Sequence, residues 1–257
     1  MSKFTLGCDP ELFLMDTEGK YLSSIGLIGG SKEIPAPIGE GCSVQEDNVA
    51  VEFNIPPADS FEKFKASIDY GMKYLEQRAA AMKMKLAIHA SAEFTPDQLK
   101  HPSAKVFGCD PDFNAWTIQR NPRPHATNKA LRSCGGHIHV GTDTNHIHLV
   151  RAMDLFLGCP STVLDSDTTR RKLYGKAGCY RDKPYGVEYR TLSNFWLQSA
   201  ELIQWAYDQT SKALDYVASK GEDIKWAPEL AGKIQSCINN NDRDAYMLLD
   251  EEFNFGV

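Results

Sequence analysis

The sequence lacks several of the patterns that identify common protein classes. It has no Cys-x-x-Cys pair, and its seven cysteines are an odd number scattered along the chain, so we expect reduced thiols rather than a disulfide framework. We expect no run of residues to be long and apolar enough to cross a membrane, and the first residues have no signal-peptide core. These features predict a cytoplasmic protein without a membrane partner.

An excess of basic residues is also missing. The 34 acidic side chains outnumber the 28 Lys and Arg, which gives a formal net charge of −6 and argues against non-specific binding to nucleic acid. The length of 257 residues, with 42% hydrophobic and 24% charged side chains, is typical of one large globular domain. We therefore predict a single catalytic domain that spans residues 1–257.

The chain has neither a regular βαβ rhythm nor a glycine-rich phosphate loop. Short apolar or alternating runs predict strands, and two basic or proline-rich segments, 95–130 and 165–184, are predicted to be an irregular connection and a mobile loop that close over a site. Irregular alternation of strands and helices favours an α+β fold with a mainly antiparallel sheet. The predicted strands are residues 4–6, 12–15, 21–24, 49–55, 86–94, 132–140 and 187–192. The predicted helices are residues 59–84, a segment that begins after 144, residues 196–219 and residues 228–239.

The segment Gly-Gly-His-Ile-His-Val-Gly at 135–141 is the strongest local signal. His137 and His139 are two residues apart on a predicted strand and therefore project to the same face. Neutral imidazole binds metals and can also contact phosphate, while the flanking glycines allow a ligand to approach the backbone. A zinc site formed with Cys134 is an alternative, although the spacing matches no established zinc motif.

Two acidic segments add candidate ligands for hard cations. Asp9 and Glu11 flank a proline, and paired acids repel each other unless a cation lies between them. Glu52 and Asn54 share one face of a predicted strand, close to the acidic pair at 46–47. The alternatives are an ordinary Asp-Pro turn and a solvated strand face.

A third strand, Val-Glu-Tyr-Arg, places Glu188 and Arg190 on one face, either as a salt bridge or as a metal ligand beside an anion clamp. A basic segment precedes it. Such a run is usually solvated, but next to an acidic metal site it would suit a triphosphate. Its members are Arg170, Arg171, Lys172, Lys176, Arg181 and Lys183.

In this order, over residues 4 to 200, the motifs resemble those of the phage-type carboxylate–amine ligases, known as COOH–NH2 ligase type 2. These enzymes belong to the glutamine synthetase and glutamate–cysteine ligase superfamily. The resemblance implies an α+β fold like the glutamine synthetase catalytic domain, with a curved antiparallel sheet lining the cleft and helices on its outer face. It also implies ATP and Mg2+ (or Mn2+) as cofactors.

Site residues follow from the resemblance by position. The implied metal ligands are Glu11, Glu52, His137 and Glu188. Asp9 would be a further ligand or a residue that contacts the ligands rather than the metal. The implied contacts to the nucleotide or its phosphates are His139, Asn54, Arg171 and Arg181. The implied catalytic residues are Glu52 and the charge-neutralising arginines Arg171, Arg181 and Arg190. The first motif has Asp-Pro-Glu where many relatives have Glu-x-Glu.

The implied activity is ATP-dependent formation of an amide or peptide bond through an acyl phosphate. The partners would be a small-molecule or peptide carboxylate and an amine, and a modified nucleotide stays open as the acid. A phage protein acting in the host cytoplasm is consistent with the resemblance. Alternatives are a phosphotransferase of the guanidino kinase type, a metal-dependent hydrolase, and a non-catalytic nucleotide- or metal-binding module.

Overall fold

The computed structural model describes residues 4–105, 112–122, 127–221 and 224–257. Short strands dominate the first half of the chain, and long helices dominate the second half. The strands are β1 Thr5–Cys8, β2 Glu11–Met15, β3 Tyr21–Leu22, β4 Ala36–Gly39, β5 Cys42–Asp47, β6 Ala50–Asn54, β7 Lys85–Ala87, β8 Ser91–Glu93, β9 Phe113–Asn114, β10 Gln119–Arg120, β11 Leu131–Ser133, β12 Ile138–Gly141, β13 Cys179–Lys183 and β14 Gly186–Tyr189. The helices are α1 Phe61–Ala81, α2 His146–Met153, α3 Cys159–Leu164, α4 Arg170–Leu173, α5 Ala200–Lys220, α6 Pro228–Asn240 and α7 Arg243–Phe253.

The strands form two larger antiparallel sheets and one small one. The order in sheet I is β1-β12-β14-β13-β9-β10. Sheet II has the order β3-β2-β6-β5-β4, with β7 also paired to β2, and the small sheet III consists of β8 and β11. The predicted α+β class, with antiparallel sheets lining a cleft and helices packed behind them, is confirmed.

Helix α1 covers the back of sheet II. It begins after Ser60, whose hydroxyl accepts the N–H of Lys63 as an N-cap. Its buried stripe includes Phe64 and Ile68, in the spacing expected of an amphipathic helix. Gly71 allows the closest approach, because a Cβ there would lie 2.5 Å from the ring of Phe53. Phe53 alternates with Glu52 along β6, so this packing directs Glu52 to the opposite face.

Helices α2 and α3 are joined by a π-helical turn, Asp154–Gly158, and α2 packs behind β13 and β14 of sheet I. The continuous segment His146–Leu164 is long and apolar enough to span a membrane by length and composition, contrary to the prediction that no such segment exists. However, 72% of its apolar window is buried inside the protein. The segment therefore has the surroundings of a core helix.

Several predicted boundaries are wrong for identifiable reasons. Segment 165–184 is not a loop, because it contains α4 and β13, and β13 pairs along its length with β14. The predicted strand 132–140 is interrupted, with β11 in sheet III and β12 in sheet I. The predicted strand 86–94 is likewise divided between β7 and β8. Parts of the predicted 95–130 connection, residues 106–111 and 123–126, lie outside the described residues.

All six cysteines within the described ranges are buried and free, in agreement with the expectation of reduced thiols. The seventh, at position 109, lies outside these ranges.

Candidate active site

The two large sheets meet at a dipeptide. Strand β1 belongs to sheet I and β2 to sheet II, and only Asp9 and Pro10 separate them. Glu11 begins β2 and is fixed there by Gly135, whose N–H donates to Glu11 Oε2 at 2.7 Å while its carbonyl accepts the Glu11 N–H at 2.9 Å. Asp9 and Glu11 therefore lie at the base of a cleft of about 530 Å³ between the sheets.

Sheet I contributes a first cluster around Asp9. Ligand atoms of Asp9, His137 and Glu188 all lie within 4.8 Å of one another. Asp9 also bridges the two histidines, with Oδ1 3.1 Å from His137 Nδ1 and Oδ2 3.2 Å from His139 Nε2. The strand register places His139 directly opposite Glu188. Both histidines thus face the cleft, although His137 precedes the first residue of β12.

Cationic side chains surround the first cluster. Glu188 contacts Arg190 Nη1, and its Oε2 lies 2.8 Å from Lys183 Nζ. Burial opposes the ionisation of Glu188, but Arg190 overcomes this effect and lowers its pKa to about 2. Burial also opposes the ionisation of Asp9, yet the two histidines, led by His139, hold its pKa well below the usual range. These carboxylates are therefore charged at neutral pH.

Desolvation has the larger effect on His137. Burial, assisted by Arg190, lowers its pKa to about 4, so the imidazole is neutral at pH 7 and available as a ligand. His139 differs, because Asp9 outweighs its burial and raises its pKa above the ordinary value. The raised pKa favours the protonated imidazole of His139, which suits contact with an anion.

Sheet II contributes a second cluster formed by Glu11, Asp47 and Glu52, whose ligand atoms also lie within 4.8 Å of one another. Glu11 and Glu52 are direct partners across β2 and β6. Gln45 Nε2 donates to Glu52 Oε1 at 2.8 Å, and Asn54 Nδ2 lies 3.5 Å from the same oxygen. The hairpin between β5 and β6 therefore supplies most of this cluster.

The second cluster has the electrostatics of a cation site. Burial, with the nearby charge of Asp47, raises the pKa of Glu11 to about 8. Burial and the charges of Asp9 and Asp47 raise the pKa of Glu52 well above its ordinary value. Burial also raises the pKa of Asp47. Crowded carboxylates of this kind are stabilised by a hard divalent cation such as Mg2+.

The two clusters do not fit a metal equally well. In the first, Arg190 and Lys183 already neutralise Glu188, so a metal would compete with them. In the second, three carboxyl groups share neutral donors, and this is the better fit for a divalent cation. The zinc alternative receives no support within the described residues, because Cys134 belongs to neither ligand group and packs in a small apolar core with Phe13 and Phe94.

The predicted arginines separate into two groups. Arg181 and Arg190 line the cleft beside the first cluster, and Arg181 is the register partner of Glu188. The position of Arg171 differs from the one that the resemblance implies. Its Nη2 donates to the carbonyl and hydroxyl oxygens of Ser161, each at 2.9 Å, on the side of α4 away from the cleft. Its neighbour Arg170 lines the cleft instead. On a helix, adjacent residues point in different directions, so a basic run alone does not identify the inward member.

Sequence reasoning gave no individual role to other residues of the cleft, although it named the acidic pair at 46–47 and the basic run that contains Lys183. The strand alternation of β5 and the hairpin register could have indicated Asp47, a member of the second cluster, and Gln45, which donates to Glu52. Lys183, two residues after Arg181 on β13, shares its face. Glu46 was expected near the site but anchors a loop instead, because its carboxylate accepts the backbone N–H groups of residues 26, 28 and 29.

The fold brings the two acid clusters and several cationic side chains into one cleft. Residues 128–245 match the family model described as phage phiEco32-like COOH·NH2 ligase type 2, which confirms the resemblance inferred from the motifs. The match contains the His-x-His strand, the basic turn and the Glu188 strand.

Solved structures of GmaS are similar to the chain at low identity. One, described as "Apo GmaS without ligand", has 11% identity and a TM-score of 0.40, and the alignment covers 99% of this chain and 70% of that one. A second, "GmaS/ADP complex-Conformation 1", has 12% identity and a TM-score of 0.36, with coverages of 98% and 69%. A comparison with curated proteins gave no match.

Proposed function

We propose that this protein is an ATP-dependent ligase that joins a carboxylate to an amine through an acyl phosphate, as one catalytic domain acting in the cytoplasm. One observation carries the proposal: two separate acid clusters and a wall of cations line the same cleft. Such an arrangement suits a reaction that brings a polyphosphate and a carboxylate together, because both are anionic and repel each other.

Divalent cations would be held by Glu11, Asp47 and Glu52, with a second position at Asp9, His137 and Glu188. When bound, Mg2+ or Mn2+ would supply charge neutralisation for the phosphates and the reacting carboxylate. The donor types fit these hard cations, since five of the six side chains are carboxylates.

The cationic wall would bind the ATP phosphates. Arg181 and Lys183 lie on β13, Arg190 directly follows β14, and His139 is adjacent to them across Glu188. These side chains are positioned by strands rather than by loops, so their charges are held in place before the reaction. Asn54, on the rim of sheet II, would provide a neutral contact to the nucleotide.

In the proposed reaction, a carboxylate oxygen of the substrate attacks the γ-phosphorus, and the bond to the bridging oxygen of ADP breaks. The acyl phosphate is then attacked at carbon by the amine, the C–O bond to phosphate breaks, and a cleft carboxylate accepts the proton from the amine. The cleft must exclude water during the second step, because hydrolysis of the acyl phosphate would waste ATP.

The alternatives are less well supported. A binding module without activity would require Glu52, His137 or Glu188 to lie away from the cleft, yet Glu52 and His137 line it and Glu188 contacts His137 and Arg190. A hydrolase at the His-x-His strand alone would not require the second acid cluster. A guanidino kinase would be expected to hold the nucleotide mainly through arginines and would not require the two acid clusters found here.

The test is ATP turnover with hydroxylamine and a pooled set of carboxylates, read by mass spectrometry. Hydroxylamine traps an acyl phosphate as a hydroxamate, so an ATP- and Mg2+-dependent hydroxamate is the expected product. Glu52→Gln should abolish it, while Glu76→Gln on the exposed face of α1 serves as the matched control. Absence of both ADP formation and Mg2+–ATP binding in the wild-type protein would contradict the proposal.

A further inference from the structure

Asp112 is a carboxylate of the cleft that belongs to neither acid cluster. It directly precedes β9, and the register between β9 and β13 pairs Phe113 with Tyr180. Continuing this register by one residue brings Asp112 opposite Arg181, which is itself opposite Glu188. Asp112 therefore lies on the cleft side of sheet I, two strands away from Glu188.

The hairpin β9–β10 holds Asp112 in a fixed position. Asn121 donates its backbone N–H to the Asp112 carbonyl at 2.8 Å, and its Nδ2 donates to Asp112 Oδ1 at 2.9 Å. Behind sheet I, Trp116 Nε1 donates to Asp154 Oδ2 at 2.6 Å, and the Arg151 guanidinium lies over the Trp116 ring. Asp112 is thus placed by a closed hairpin that the buried Asp154 anchors.

Arg190 spans β13 and contacts a carboxylate on each side of that strand. Its Nη1 contacts Glu188 Oε1, and its Nε lies 3.5 Å from Asp112 Oδ2. The Arg190 side chain is 7% exposed, so its guanidinium is held almost entirely by protein groups. Asp112 thus gives Arg190 a second carboxylate contact that lies outside both clusters.

A cation at Glu188 must displace the cationic side chains that neutralise it in this structure. Lys183 Nζ lies 2.8 Å from Glu188 Oε2, but this side chain is 29% exposed and can turn into solvent. Arg190 is too buried to do the same, and a buried guanidinium that loses its carboxylate partner is strongly destabilised. It therefore needs another carboxylate within reach, and Asp112 is already in contact with it.

We propose that Asp112 is a positioning residue for Arg190, which it holds in the cleft when Glu188 is released to bind a divalent cation. Arg190 neutralises Glu188 while the first cluster is without metal, and it is retained beside the phosphates by Asp112 once Glu188 has become a ligand. This inference rests on the proposed function, in which the first cluster holds a cation and Arg190 belongs to the cationic wall. It explains how one arginine can serve both groups.

The test is a titration with Mn2+ in the absence of nucleotide, followed by the electron paramagnetic resonance signal of unbound Mn2+. Glu52→Gln removes binding at the second cluster, so the binding that remains in this variant is assigned to the first cluster. We expect Asp112→Asn to weaken Mn2+ binding at the first cluster about 10-fold, because Arg190 then keeps Glu188 as its partner and competes with the cation. The amide retains the oxygen that accepts from Asn121, so the hairpin is preserved.

Asp182→Asn is the matched control. It removes the same charge from the neighbouring strand β13, but Asp182 is exposed, contacts His146 and points to the opposite face from Arg181 and Lys183. The Mn2+ affinity of this variant should equal that of the wild-type protein. An equal loss of affinity in Asp112→Asn and Asp182→Asn would show a general effect of charge and overturn the inference.

A double variant separates the positioning of Arg190 from a direct effect of Asp112 on the cation. In an Arg190→Gln background the competing guanidinium is absent, so Asp112→Asn should no longer change the Mn2+ affinity. Asp112→Glu keeps the charge and should restore most of the affinity that Asp112→Asn loses. A loss that persists in the Arg190→Gln background, or unchanged Mn2+ binding in Asp112→Asn alone, would overturn the inference.

The two proposals fail in different ways. The proposed function fails if the wild-type protein neither forms ADP nor binds Mg2+–ATP, whereas the Mn2+ titration requires no nucleotide and no carboxylate substrate. Mn2+ binding that is confined to the second cluster in the wild-type protein would overturn the inference alone, because the ligase proposal can stand on that cluster.

Discussion

Glu11 and Glu52 face each other across the antiparallel pair β2–β6, with 9% and 7% of their surfaces exposed. Two acids directly opposite in a sheet repel each other, and burial increases the cost of charging either one. The third carboxyl group, Asp47, adds to this repulsion. Protonation or a bound cation relieves this repulsion, so the fold tolerates the arrangement. We infer that the three carboxyl groups serve to bind a cation.

Replacing Glu52 by Gln should make the metal-free protein more stable and the enzyme inactive. The amide keeps an oxygen that can accept from Gln45 Nε2 but removes one of the repelling charges. Each kcal/mol of relieved repulsion should raise Tm by about 2–4 °C for a domain of this size. Thermal unfolding in EDTA, beside the hydroxamate assay, measures both effects. A Glu52→Gln protein that is less stable and still active would exclude Glu52 as a metal ligand.

The stabilisation by Mg2+ should increase from about pH 6.5 to pH 8. The pKa of Glu11 is raised from 4.5 to about 8 in the folded protein, so its stabilising contribution is complete below pH 4.5 and is lost as pH rises through 8. Mg2+ binds the ionised form and reverses this loss, so the difference in Tm with and without Mg2+ grows over the same range. Asp9 and Glu188, whose pKa values are lowered, are already ionised throughout it.

The matched control for this pH series is Glu52→Gln, in which the second cluster has lost a carboxylate. Its difference in Tm should be small and independent of pH. A wild-type difference that is constant from pH 6.5 to 8 would show that the raised pKa of Glu11 is not linked to cation binding.

Much of the first cluster could be predicted from sequence because strand alternation is local information. His137, His139, Glu188 and Arg190 are each identified by a two-residue spacing, and the structure brings all four to one side of sheet I. The residues between 132 and 140 do not form one strand, but the break falls before His137 and the two imidazoles still meet at Asp9.

The second cluster was less accessible to sequence analysis because it depends on pairing between strands. Asp47 joins Glu11 only because the β5–β6 hairpin has the register Gln45–Glu52 and β6 also pairs with β2. Helical residues posed a different difficulty. The three basic residues at 170–172 lie in a single helical turn, and their order does not indicate which of them points into the cleft. The resemblance implies Arg171, whereas the structure directs Arg170 to the cleft.

Exchange of each arginine for lysine should separate these two roles. Arg171→Lys should lower stability, because its two hydrogen bonds to Ser161 contribute about 1.5–3 kcal/mol each, but leave KM for the carboxylate unchanged. Arg170→Lys should raise that KM about 10-fold, since lysine cannot reproduce a planar guanidinium held by two carbonyls. Steady-state kinetics and denaturation midpoints measure the two effects. The reverse pattern would restore the original assignment of Arg171.

Asp154→Asn should destabilise the protein more than removal of any single partner of Asp154. This carboxylate, fully buried at the π-helical turn, accepts hydrogen bonds from Trp116 Nε1 and Gly178 N at 2.6 Å, Tyr189 Oη at 2.8 Å and Thr191 Oγ1 at 3.2 Å. An amide NH2 in its place would oppose at least one of these donors, and each buried polar group left unsatisfied costs about 1–3 kcal/mol.

Tyr189→Phe provides the matched comparison, because it removes one donor, leaves the other three to Asp154 and should cost about 1 kcal/mol. Tyr189 follows Glu188 on β14 and points to the opposite face, so Asp154 fixes the strand from behind. We therefore expect Asp154→Asn to weaken Mg2+ binding as well, measured by titration at a temperature where the variant is folded. Equal denaturation midpoints for Asp154→Asn and the wild-type protein would show that this network does not hold the strand.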